Sequence, residues 1–276
     1  MKNLLFVVIA LSIGLTGFAQ QNTRVKTPPK NDKKVEKRQR SNSIMKMEEE
    51  EGEVTFKTHS VFGIKIATDG YGLLYEKGKM ISPRKVNILQ FELNEKMSTK
   101  EEKTTTGFDF FGNVSSAKYG KANNFYQLKV GYGQLITLGG KANKNGVSVS
   151  VLYAGGLSLG LLKPYYVDVE KENTRERLRV KFSDTLPQGS NYLIKGASGF
   201  TVGWAEVKVA PGLHAKTALR FDYGRFNESV AAVEAGVNAE YYTPAVLQMA
   251  IGTQYRVERN FFFNAYIAIE FGKRKF

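Results

Sequence analysis

The sequence contains no cysteine, only two histidines, one tryptophan and seven prolines in 276 residues. Without cysteine there is no disulfide, no thiolate metal ligand and no N-terminal cysteine to carry a lipid. The histidines, His59 and His214, do not form a pair at ligand spacing. The acidic run at Glu48, Glu49, Glu50 and Glu51 lacks the alternating ligand pattern of a calcium loop. No metal and no other cofactor is expected. Beyond the first 19 residues there is no apolar run near the ~20 residues that a membrane-spanning helix needs. Acidic side chains are also scarce relative to basic ones, 26 against 40, for a formal charge of +14. Such an excess suggests an anionic partner such as nucleic acid or lipid. Much of it, however, lies in residues 26–40.

What is present begins with an export signal. Lys2 is a charged start, residues 4–15 are an apolar core, and Gly17-Phe18-Ala19 is a small-x-small cleavage site. The core is too short for an anchor helix. Residues 1–19 are therefore expected to be a cleaved signal peptide, and an exported protein is not expected to meet nucleic acid. Residues 20–53 hold TPPKNDKKVEKRQR followed by MKMEEEEGE, with no apolar period. This composition predicts a disordered periplasmic tail, with a basic and an acidic block that suit a docking arm.

From residue 54 onward the period is two. The segment EVKVAPGLHAKTALRFDY, residues 206–223, sets the pattern. Val207, Val209, Leu213, Leu219 and Phe221 fall on one face, and Glu206, Lys208, His214, Lys216, Arg220 and Asp222 on the other. A run of about 18 residues far exceeds the ~5–6 typical of globular strands. Further alternating segments are residues 54–67, 71–80, 86–96, 124–138, 147–166, 229–242 and 261–271. Asp69-Gly70 signals a tight hairpin. Residues 97–122, 168–204 and 243–260 read as long loops, with Pro244 breaking the last. Alternation at Leu247, Met249 and Ile251, and an unresolved element within 168–204, leave ten strands as an alternative.

An apolar face on every segment, opposite a charged one, predicts an all-β, eight-stranded antiparallel transmembrane β-barrel built as an up-and-down meander over residues 54–276. A sheet spanning lipid must close, because an open edge would leave N–H and C=O groups unpaired in hydrocarbon. The links at 81–85, 138–147 and 224–229 are short, and the three loops just named are long. That asymmetry matches periplasmic turns opposite extracellular loops, with both termini periplasmic in the cell outer membrane.

The signal ending FAQ, the closing IEFGKRKF, and the segments GLSLGLLKPYY and WAEVKVAPGLHAKTALRFDYG resemble small, porin-like outer-membrane β-barrel proteins of Bacteroidota. The resemblance covers roughly residues 60–276. It implies a barrel, and a family in which most members have no assigned activity. A few similar barrels are accessories of envelope machinery, including the type IX protein secretion system.

Alternation turns Lys65, Glu92, Lys129, Glu206, Lys208, His214, Lys216, Arg220, Asp222, Glu234, Glu240 and Glu270 inward. Eight strands leave room only for side chains, so these charges are expected to pair as a plug. The expected function is non-enzymatic: a structural or accessory role in an envelope complex, in protein secretion or outer-membrane assembly. Its partners would be outer-membrane lipid and another envelope protein, met through the long loops or the tail. The alternative is a lipid-modifying enzyme with a lumen or rim site near His214. Glu206 is eight residues from His214 on the same strand, too far for a hydrogen bond, and the sequence places no serine beside it. His59 reads as interfacial.

Overall fold

The computed structural model describes residues 55–108, 114–141, 146–172, 174–182, 192–224, 228–251 and 255–276. The signal and tail segments, 1–19 and 20–53, lie outside the described residues. Eight strands form a closed antiparallel barrel. In chain order they are β1 (Thr58–Ala67), β2 (Gly70–Ser82), β3 (Lys85–Lys96), β6 (Asn123–Gly139), β7 (Ser148–Pro164), β11 (Lys208–Asp222), β12 (Ser229–Ile251) and β13 (Tyr255–Lys275). Each pairs with its predecessor in the ring, and β1 closes on β13 from Thr58↔Lys275 to Ala67↔Tyr266. The ring holds eight strands rather than ten, because the additional strands lie outside it.

Those strands are β4 (Lys103–Phe108), β5 (Val114–Lys118), β8 (Tyr166–Lys171), β9 (Arg177–Lys181) and β10 (Tyr192–Ala197). β4 and β5 make a hairpin, and β10-β8-β9 a three-stranded sheet. The loops expected at 97–122 and 168–204 therefore carry sheet. Ala117, Tyr165, Val167, Val169 and Phe182 form a small core there, with Val180, Tyr192 and Ile194 packed against it. The two sheets are also tied by hydrogen bonds, Thr106 Oγ1 donating to the Lys195 carbonyl at 3.0 Å and the Lys118 amide to Tyr165 Oη at 3.0 Å. We call this end of the barrel the cap end. The other, where Thr58 and Lys275 pair, is the terminal end.

Residues 243–251 and 255–260, expected as loop, are strand instead. β12 and β13 run on past the barrel, paired from Val246↔Arg259 to Ile251↔Tyr255. The register shifts between Tyr241 and Val246. Pro244, which has no N–H to give a ladder, falls inside that bulge, so it does not end the strand. The extension is held from the side. The Ala122 amide donates to the Gln248 carbonyl at 2.9 Å, and the Ala250 amide to the Gly120 carbonyl at 2.8 Å.

Alternation divides the ring strands over most of their length. On β3, Leu89, Phe91 and Leu93 are exposed, whereas Gln90, Glu92, Asn94 and Lys96 are buried. Every ring strand presents large apolar side chains outward, among them Phe62, Tyr75, Phe91, Tyr132, Leu157, Leu219, Val237 and Ile269. They make a continuous apolar belt around the outside. Among the described residues, no helix is long and apolar enough to cross a membrane, which says nothing of crossing by strands.

Candidate functional site

The interior concentrates charged and polar side chains, and inward-facing positions bring them there from all sides. Near the terminal end, Arg220 on β11 meets three carboxylates. Its Nη1 and Nη2 donate to Glu76 Oε1 and Oε2 at 2.7 and 2.8 Å. Nη2 also donates to Glu234 Oε2 at 2.7 Å, and Nε lies 2.9 Å from Glu270 Oε2. His59 Nε2 lies 2.7 Å from Glu76 Oε1, and Gln90 Nε2 donates to Glu76 Oε2 at 2.5 Å. A Cβ at Gly78 would meet the His59 ring at 2.3 Å, so only glycine makes room for it.

One tier further toward the cap, Glu92 on β3 accepts from Lys65 at 2.6 Å and from Lys216 at 2.9 Å. Tyr266 Oη donates to Glu234 Oε1 at 2.6 Å, and the Lys65 ammonium sits 4.7 Å from the Tyr266 ring centre. In the next tier Glu240 accepts from Lys129 and, at 2.6 Å, from Gln127, with Lys96 at 3.2 Å. Phe125, Tyr242 and Phe262, with Leu162, Ala210 and Val246, then close the interior under the cap. At the opposite mouth Asp222 holds Lys141 at 3.2 Å and also Arg274. Carboxylates and cations alternate along the whole axis, the arrangement that repays desolvation of buried charge.

Glu206 and Lys208 are the two expected interior residues found elsewhere. Gly203, at φ 88°, starts a 3₁₀ turn over Trp204–Glu206, so β11 begins only at Lys208. Glu206 stays in the cap, 2.5 Å from Lys181 and accepting from Tyr166 Oη at 2.7 Å. Lys208 lies beyond the aromatic lid and is exposed. The others are all buried inside. Alternation does turn Gln127 and Tyr266 inward, whereas Glu76 and Lys96 are buried interior residues that sequence reasoning did not single out. Their signal was parity alone: Glu76 follows Gly72 and Leu74 on the face opposite Tyr71, Leu73 and Tyr75. His59 is not interfacial but buried, for the same reason.

The structure puts a serine beside His214: Ser158 Oγ lies 2.9 Å from its Nδ1. Strand pairing brings β7 against β11, a contact that no sequence spacing announces. Both side chains are buried. The other ring nitrogen faces Gly131, where an added Cβ would come within 2.9 Å of it. Among the described residues no carboxylate hydrogen-bonds to the imidazole, and neither residue is among those lining the cavities at the two mouths of the lumen. The interior cavity at the terminal mouth, of about 60 Å³, lies around His59, Arg220, Asp222 and Arg274 instead.

A second ionic cluster sits in the cap. Glu101 is 2.5 Å from Lys118 and 3.0 Å from Lys121. Burial pushes the Glu101 carboxyl up, but the Lys118 hydrogen bond and the Lys121 charge outweigh it and hold the group below the usual range. Burial likewise opposes the charge on Lys118, and the bond to Glu101 carries it above the usual lysine range. For Lys121 burial wins, and its ammonium is pulled down.

No family model matches the sequence, and no curated protein is detectably similar to it. Among solved structures, the Neisserial surface protein A is similar at 8% identity and a TM-score of 0.38, over 79% of this chain and 96% of that one. Ail, the attachment invasion locus protein of Yersinia pestis, in complex with the heparin analogue sucrose octasulfate, gives 10% identity and 0.37, over 80% and 99%. The N-terminal β-barrel domain of Pseudomonas aeruginosa OprF gives 9% and 0.30, over 79% and 99%. Likeness this distant carries no argument about what the chain does.

Proposed function

We propose that this protein is a non-catalytic outer-membrane barrel with a sealed lumen, serving as an anchor that presents its cap to another envelope component. The observation that carries the reading is the pairing of an unbroken apolar exterior with a charge-filled interior. Exposed apolar surface is unfavourable by about 25 cal/mol per Å² in water, and a belt around all eight strands finds its natural solvent in hydrocarbon. The ion-paired interior leaves no wide channel, which argues against a diffusion pore. What remains to face partners is the cap, which has its own small core, and the segment before residue 55. The resemblance to envelope accessories points the same way, toward protein secretion or outer-membrane assembly.

A lipid-modifying enzyme is the second reading, favoured by the Ser158–His214 contact alone. Among the described residues no carboxylate orients the imidazole, and the cavities at the two mouths of the lumen do not reach the pair. Replacing His214 with alanine should leave lipid A and phospholipid acylation unchanged, and an altered lipid profile would establish the enzyme.

The accessory reading is tested by light crosslinking in cells, purification from outer membranes in mild detergent, and mass spectrometry. A stoichiometric companion is expected, lost when the cap segment 165–206 is replaced by a short linker or when residues 20–53 are deleted. A clean monomer, with every association unchanged in both variants, would overturn it.

A further inference from the structure

We propose that the cap-end mouth of the lumen binds one monovalent cation of sodium or potassium size. Five buried oxygens there accept no hydrogen bond from any protein group among the described residues: Asp69 Oδ1, Asn94 Oδ1, Gln127 Oε1, Asn238 Oδ1 and Asn264 Oδ1. All five residues line a single cavity of about 10 Å³. They come from the β1–β2 turn and from β3, β6, β12 and β13, so strands from opposite sides of the ring converge on it.

The amide orientations are not arbitrary. Gln127 and Asn238 donate their NH₂ groups to Glu240, Asn264 donates to Asp69 at 3.3 Å, and Asn94 to Glu92 at 3.4 Å. A carboxylate only accepts, so turning any amide over would set oxygen against oxygen. The four amide oxygens are thereby held away from donors. The neighbouring ammonium groups are committed to carboxylates: Lys96 to Asp69 at 2.5 Å, Lys65 to Glu92 at 2.6 Å and Lys129 to Glu240.

Buried oxygens without donors are destabilising and call for a partner. The cavity has room for about one water-sized particle. A water there donates two hydrogens and would leave most of the oxygens unserved. A cation can face all of them together, as carbonyl oxygens replace an ion's hydration shell in a selectivity filter. The donor set carries one formal charge, on Asp69, and three lysines stand nearby. A divalent ion, whose affinity rises with ligand charge, is therefore disfavoured, and all-oxygen ligation does not suit zinc. Access is through Asp69, whose side chain is 18% exposed at the tip of the β1–β2 turn.

The test uses the full chain refolded in detergent micelles. Urea unfolding midpoints are compared in sodium chloride, potassium chloride and N-methyl-D-glucamine chloride at equal ionic strength. The midpoint should rise and saturate with sodium or potassium and stay flat with the bulky cation, since a ligand of the folded state alone stabilises it. The rise should vanish in Asn264→Leu and in Asn238→Leu. Equal midpoints in the three salts, or an undiminished rise in both variants, would overturn the site. Should the variants fail to fold, crystals of the wild type soaked in rubidium chloride decide: an anomalous peak among the five oxygens supports the site, and none overturns it.

Discussion

Arg220 and Glu76 face each other across the full width of the barrel. They stand on β11 and β2, opposite one another in the ring, and two hydrogen bonds of 2.7 and 2.8 Å join the guanidinium to both carboxylate oxygens. Glu234 and Glu270 crowd the same cation. Removing Arg220 would leave three carboxylates buried with little compensation. Arg220→Leu should therefore lower the unfolding free energy by about 3–5 kcal/mol. Arg220→Lys should recover only part, because an ammonium cannot form the planar fork. Urea midpoints in micelles read both. A leucine variant within about 0.5 kcal/mol of the wild type would sink the view that this crossing holds the barrel.

The belt and the cap offer a matched pair of exposed apolar residues. Ile269 is 48% exposed on β13, and Leu193 is 51% exposed on β10. If the belt lies in lipid, Ile269→Arg should destabilise the folded state in bilayers by about 2–4 kcal/mol, the range for a charge near the midplane. Leu193→Arg should stay within about 0.5 kcal/mol, as ordinary surface changes do. Equal effects at the two sites would contradict a membrane-embedded belt.

Ions should not pass through the wild-type protein. With Glu92, Glu240 and Arg220 bridging opposite walls, planar-bilayer recordings should show no steady conductance steps. Stable openings of uniform size would show that the interior is not sealed.

The cap should loosen in acid. Glu101 is held below the usual glutamate range. A depressed folded value means that its contribution is complete above the ordinary range and is lost as pH falls through and below it. Lys118 is shifted upward, so its share is present below the ordinary lysine range and lost only in strong alkali. Protection from hydrogen exchange over residues 97–122, corrected for the intrinsic pH dependence of amide exchange, should thus be flat around neutrality and fall in acid. Glu101→Gln should be less protected at neutral pH and lose the acid-dependent fall in protection. An unchanged acid profile in that variant would place the sensitive group elsewhere.

Much of this was legible in the chain, and for one reason: a strand turns successive side chains to opposite faces. Leu89, Phe91 and Leu93 against Gln90, Glu92 and Asn94 gave strand, face and barrel together. The same parity would have yielded Glu76 and His59, had glycine and histidine been counted as interior residues. Pro244 misled because a missing N–H was read as a strand end, whereas a bulge absorbs it. The cap strands are short, and β10 carries Leu193 and Ile194 side by side, too brief a pattern to separate from loop.

The sequence by itself determined which side chains face in and out, because alternation is a local property of extended backbone. Only the tertiary structure decided which of them meet. Arg220 finds Glu76, 144 residues away, and His214 finds Ser158, because closure and register bring non-consecutive positions to one level. Closure is a property of the whole ring of ladders, and no local pattern encodes its stagger. The five oxygens at the cap-end mouth belong to that second class: each is an ordinary inward or turn residue in its own segment, and only the closed ring makes them neighbours.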